Sequence, residues 1–174
     1  NNANTRTVVE NRLGALREKF GARLEILIRP TNDSWIRDYG GFTVFAGKEE
    51  KERLVLDWGF NSWGGKYPPF DADDVTPLFM ADRAGLPVRT IGFILEGGSV
   101  DANGAGKLLT TEQCLLNPNR NPGFTQAQID GVLHRWLGIQ DVLWLERGIE
   151  GDDTDGHVDD LARFVNERVV FAAV

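Results

Sequence analysis

Apolar positions along the chain switch between two periods, and the switch recurs. Val9, Leu13, Leu16 and Phe20 in "TRTVVENRLGALREKFG" fall on one face at helical spacing, with Gly21 suited to a C-terminal cap. "ARLEILIRP" then alternates apolar and polar residues up to a proline and predicts a strand. After the loop "TNDSWIRDYGG", "FTVF" and "RLVLDW" flank the charged turn "AGKEEKE" as a hairpin. The order repeats with a short helix in "DADDVTPLFMADRAG", its apolar face formed by Val75, Leu78 and Phe79. The strand "PVRTIGFIL", the loop "EGG" and a hairpin turning at Asn103-Gly104 follow. A third round opens at Thr125 and Gln128, a capping-box pair, with Ile129, Val132, Leu133 and Trp136 as the buried stripe. It continues through the strand "DVLWLERG", the loop "IEGDDTDGHVDD" and a hairpin turning at Asn166-Glu167.

Helix, strand, acidic glycine-containing loop and hairpin thus occur three times, over about residues 1–60, 61–120 and 121–174. Units of this kind cannot bury their own faces singly and must stack in line or around a shared axis. Around an axis, equivalent loops converge at one end. The prediction is an α/β chain forming one incomplete domain, because "RVVFAAV" ends inside an apolar run. The run begins at Asn1 rather than Met, which leaves a native N-terminus and any targeting peptide to lie upstream. Exposed apolar edges predict self-association, as a homo-oligomer or with a missing part.

Composition narrows the function. Nineteen Lys and Arg against 26 Asp and Glu give a net charge of −7, which argues against non-specific nucleic-acid binding. No apolar run reaches the 18 or so residues needed to span a bilayer, so no membrane partner and a cytoplasmic location are expected. One cysteine excludes an internal disulfide framework.

The loops carry the candidate chemistry. Asp38 in "WIRDYGG", Glu96 in "LEGGS" and Asp159 beside His157 in "DGHVDD" sit at one phase of the repeat. Acids and glycines also mark ordinary turns, but recurrence at one phase favours a shared site. Convergent carboxylates need positive charge among them, from a metal ion or a cationic ligand. A guanidinium suits them: it is planar, stays charged and presents a fork of N–H donors. Trp35 and Trp63, in loop contexts, could offer an aromatic face to a cation or simply pack, whereas Trp136 and Trp144 fall in element patterns. His157, between Asp155 and Asp159, suits proton transfer. His134 reads as a structural residue on the third helix. Cys114 follows the second hairpin, away from the acidic loops, and reads as a buried small hydrophobe.

Two metal motifs bear on the loop "DDTDGHVDD". An EF-hand register with Gly156 at loop position 6 puts Gly151 and Ala162 where acidic ligands belong, so it fails. "DGHVD" resembles the Asp-x-His-x-Asp element of manganese ureohydrolases (arginase and agmatinase), but Ser99 stands where a second histidine motif would need its ligand.

The strings "SWIRDYGGFTVF", "DWGFNSWGGKYPPFDADD", "LEGGSVDANGAGKLLTTEQCLLNPNRNP" and "DTDGHVDDLARFV" resemble the agmatine deiminase family and its Porphyromonas-type peptidylarginine deiminase relatives. The resemblance implies the pentein fold, a five-unit α/β propeller with an axial site, of which about three units are present. It implies a hydrolase that deiminates agmatine to N-carbamoylputrescine and ammonia. No metal or organic cofactor would be required. By motif, Asp38 and Asp159 would grip the guanidinium, Glu96 would line the same site, His157 would be the general acid/base and Trp35 the aromatic neighbour. The family's nucleophile is a cysteine in a glycine-rich stretch near the C-terminus, which this chain does not reach; Cys114 does not match it. The alternatives are a manganese-dependent ureohydrolase and a truncated, non-catalytic guanidine-binding module.

Overall fold

All three predicted hairpins form, and two of them gain a third strand from further along the chain. The computed structural model describes residues 3–47 and 52–173; the charged part of the first hairpin turn, residues 48–51, lies outside these. Helices α1 (Ala3–Arg12) and α2 (Gly14–Phe20) come first. The one-turn α3 (Ile36–Tyr39) precedes strands β1 (Phe42–Ala46) and β2 (Glu52–Gly59). The tight turn α4 (Ser62–Gly65), the turn α5 (Asp71–Asp74), helix α6 (Thr76–Ala84) and strand β3 (Val88–Ile94) follow. Next come β4 (Asp101–Ala102), β5 (Lys107–Thr111), the turn α7 (Glu112–Leu115) and helix α8 (Gln126–Leu137). Strands β6 (Asp141–Leu145), β7 (Ala162–Asn166) and β8 (Val169–Ala172) complete the described chain.

The sheets share one plan. β1 and β2 pair antiparallel, and β3 joins β2 in parallel with Val55 opposite Val88. β4 and β5 pair antiparallel, and β6 joins β5 in parallel with Leu109 opposite Leu143. β7 and β8 form a two-stranded antiparallel pair. A parallel neighbour needs a crossover, and α6 and α8 supply it. The main core lies between the first two sheets and α8, with Leu56, Phe93, Leu95, Leu108, Leu115, Ile129 and Leu133 all buried. Helix α8 has the predicted capping box, and its stripe packs as expected, Val132 and Trp136 lying at the core margin.

Three expectations fail. The first helix breaks at Leu13 into α1 and α2, and Leu16 and Phe20 are exposed; Lys19 and Arg23 sit over the Phe20 ring. The predicted strand over 22–30 does not form: residues 21–23 make a 3-10 turn, and 24–30 pair with no strand among the described residues. Alternation there marks a half-buried face at Leu24 and Ile26, but a strand also needs an edge to join. Finally, α6 buries Thr76, Pro77 and Ala81 while Val75 and Leu78 are exposed. Small side chains win that face because the helix approaches the sheet closely: a Cβ on Gly41 would lie 2.6 Å from Val55 and 3.1 Å from Pro77.

Candidate functional site

The loop that presents Asp38 is clasped from below. Asp73 accepts the backbone N–H of Asn32 (2.7 Å) and of Asp33 (3.0 Å), and the Asn32 amide oxygen accepts from Ala72 N–H (2.8 Å). Tyr39 donates its hydroxyl to the Asp33 carbonyl at 2.9 Å. Asp38 is thereby buried, with Oδ1 accepting from Gly98 N–H at 2.9 Å and Oδ2 from the Trp63 indole N–H at 3.1 Å. Trp63 reaches it through an unusual backbone: Ser62, Trp63, Gly64 and Gly65 have φ of 55°, 54°, 87° and 80°. Left-handed backbone is costly for residues with a Cβ. Here the Asn61 side chain accepts from Gly64 N–H (2.9 Å) and Ser62 Oγ donates to the Tyr67 carbonyl (3.0 Å).

The glycines of "EGGS" permit close approach of three loops. A Cβ on Gly97 would overlap the Arg37 carbonyl, and one on Gly98 would overlap the His157 ring and lie 2.8 Å from Asp38 Oδ1. His157 places Nδ1 3.7 Å from Asp38 Oδ1. Its own loop is tied by Asp152, which accepts from His157 N–H and Gly156 N–H, each at 2.8 Å. Thr111 Oγ1 donates to the Gly156 carbonyl at 2.6 Å.

Glu96 departs from expectation in one respect. It joins the cluster but does not line the cavity: it is fully buried beneath it, and Arg120 Nε donates to Oε1 at 2.6 Å. Arg120 also donates to Asp155 Oδ2 (2.7 Å), the Asn119 side chain (2.8 Å) and the Thr154 carbonyl (2.7 Å). Sequence reasoning missed Arg120, which sits in "NPNRNP", a string that signals only turns. Asp155 therefore does not stand with His157 and Asp159 as a third ligand. Burial works to raise its pKa, but hydrogen bonds from Lys66, Asn119 and Arg120 bring it to about 2. Cys114 is buried as expected but is not remote: its Sγ lies within 4.8 Å of donor atoms of Glu96 and His157. Burial, and then the Glu96 charge, push its thiol well above the ordinary range.

Above this layer opens a cavity of about 430 Å³, walled by Trp35, Asp38, Trp63, His157 and Asp159. Trp35 is 60% exposed at the mouth, whereas Trp63 is buried. Asp33, Asp152, Asp153 and Asp160 add further carboxylates against a single arginine, Arg37. Arg37 Nε lies 3.7 Å from Asp159 Oδ2. Asp159 has a raised pKa because of burial, a shift that His157 opposes and the neighbouring Asp160 and Asp38 reinforce. Such a cavity suits a flat cation with N–H donors on several edges.

Hairpins extended by parallel strands, with loops meeting at one acidic cavity, place the chain in the pentein class of α/β folds. The family model for Porphyromonas-type peptidyl-arginine deiminase matches residues 2–174, and the chain belongs to that family. Agmatine deiminase of Ectopseudomonas mendocina is 43% identical over 148 residues, covering 82% of this chain and 40% of that protein. A cysteine-to-serine variant of C. jejuni agmatine deiminase with substrate bound superposes with a TM-score of 0.78 at 37% identity, over 90% of this chain and 47% of that one. Agmatine deiminase of Enterococcus faecalis gives 0.80 at 34% identity, over 92% and 45%. The chain therefore spans less than half the length of these relatives.

Proposed function

We propose that these residues form the substrate-gripping part of an agmatine deiminase, which hydrolyses a guanidinium C–N bond to give N-carbamoylputrescine and ammonia. The observation that carries this reading is that Asp38, Asp159 and His157 line one acidic cavity, with Asp38 3.7 Å from the imidazole. Two carboxylates hold the guanidinium planar and cationic, so its central carbon remains electrophilic. A cysteine thiolate from a part of the protein beyond this chain adds to that carbon, forming an S–C bond. His157 gives a proton to the departing nitrogen, and ammonia leaves as the C–N bond breaks. Water then attacks the resulting thiouronium carbon, His157 takes its proton, and the thiolate is expelled.

The surrounding carboxylates also argue for the substrate. A ligand whose far end is an ammonium gains from them, whereas the α-carboxylate of arginine is repelled. The tie between Asp155 and Arg120 disfavours the manganese ureohydrolase reading, since it removes one member of the Asp-x-His-x-Asp set.

The full-length protein is expected to release ammonia from agmatine in the presence of EDTA. Asp38→Asn and Asp159→Asn should each lower turnover by roughly 100-fold or more while leaving the protein folded. Wild-type turnover in either variant, or manganese-dependent urea release, would overturn the assignment. The 174-residue chain alone is expected to give no ammonia.

A further inference from the structure

Beneath the acidic cavity, donors of three different kinds meet. The Glu96 carboxylate, the Cys114 thiol and a ring nitrogen of His157 each place an atom within 4.8 Å of the other two. Glu96 and Cys114 are fully buried and His157 is 2% exposed. This is the one such group among the described residues. Two of its polar side chains are also incompletely satisfied. Arg120 takes Glu96 Oε1, while Glu96 Oε2 and His157 Nε2 have no hydrogen-bond partner. Buried polar atoms are nearly always paired, so two orphans in one cluster point to something that joins them.

We propose that Glu96, Cys114 and His157 form a binding site for a divalent cation of the zinc type, which on binding immobilises the imidazole and silences it. Thiolate, imidazole and carboxylate together match zinc or cobalt(II) and are a poor set for manganese or magnesium. Three protein ligands leave a fourth position, which would face the cavity through the wall that His157 contributes. Zinc holds its ligands at about 2.0–2.3 Å, which sets donor atoms roughly 3.3–3.8 Å apart. The trio, now within 4.8 Å, must therefore contract by up to about 1 Å on binding. On binding, the S–H bond of Cys114 breaks, its proton passes to solvent and the sulfur bonds the metal. Arg120 beside Glu96 offsets part of the negative charge, and Asp38 beside His157 Nδ1 adds to the field that draws a cation in. The site is a brake on the imidazole, not a cofactor, and it stands whether or not the chain acts on agmatine.

The test is titration of the 174-residue chain with cobalt(II), followed by competition with zinc. The expected result is one equivalent bound, with a sulfur-to-cobalt charge-transfer band that zinc abolishes. Cys114 is the only cysteine, so the band reports it directly. Cys114→Ser should lose the band, and His157→Ala and Glu96→Gln should each weaken affinity by about tenfold or more while keeping it. Binding without the band overturns the proposal. So does affinity unchanged in both His157→Ala and Glu96→Gln, variants that serve even if Cys114→Ser fails to fold.

Discussion

Asp38, Glu96 and Asp155 are each defined by the donors that face them. Asp38 is held by two N–H donors from different elements. Replacing Trp63 by Phe removes one of them, a hydrogen bond to a charged group worth about 1.5–3 kcal/mol. Agmatine affinity of the full-length protein should fall about tenfold or more by calorimetry, with folding retained. Arg120 answers for Glu96 in the interior. Arg120→Met strands a buried carboxylate and should cost about 3–5 kcal/mol in urea denaturation, and a second change, Glu96→Leu, should recover part of it. Asp155 has a folded pKa of about 2, below its ordinary 3.8. Its contribution to stability is thus present above about pH 4 and is lost as pH falls toward 2. Allowing for solvent screening at this partly exposed group, it amounts to about 1 kcal/mol. Asp155→Asn should flatten that part of the pH–stability curve. That the loops bearing Asp38, Glu96 and His157 meet was legible because these residues recur at one phase of a repeated pattern. Arg120 was not, because nothing in the spacing of "NPNRNP" tells which distant carboxylate its guanidinium will meet.

Elements governed by neighbours in sequence follow its local signals. The capping box of α8 joins Thr125 and Gln128 three residues apart, and Thr125→Ala should destabilise by about 1 kcal/mol in thermal or urea unfolding. The hairpin turns at Asn103 and Asn166 were equally local: Asn103 Oδ1 accepts from Ala105 and Lys107 N–H, and Asn166 Oδ1 accepts from Arg168 and Val169 N–H. Features that depend on distant surfaces were not legible. Alternation over residues 22–30 describes a chain with two faces, yet pairing is decided by whether an edge lies alongside. The buried face of α6 went to Thr76, Pro77 and Ala81 because the approach to Gly41 leaves no room for larger groups. The left-handed run at α4 is likewise set by contacts, and Gly64 is constrained twice over, by φ of 87° and by Asn119 standing where a Cβ would go. Gly64→Ala should displace Trp63 and reproduce the binding loss of Trp63→Phe.

At the scale of the molecule, one acidic cavity draws on segments far apart in the chain: Asp33–Asp38, Trp63 with Tyr67, and Asp152–Asp160. Long-range attraction follows from the net charge of −7 and the carboxylates around the mouth. Association of agmatine with the full-length protein should therefore slow as ionic strength rises, measurable by stopped-flow fluorescence of Trp35. Protonation of Asp159, whose pKa is raised chiefly by burial, should weaken binding at the acidic end of the profile, because the guanidinium needs the carboxylate form.

The pairing of β2 with β3 and of β5 with β6 has a consequence for how the chain can be rearranged. Each three-stranded sheet is stitched from a hairpin and the strand that follows the next helix, so the periodic stretches of sequence are not interchangeable cassettes. Excising the middle one would tear a parallel seam on each side, and excising either outer one would tear a single seam, whereas new termini opened within the Asn103–Lys107 bend would leave both parallel seams intact.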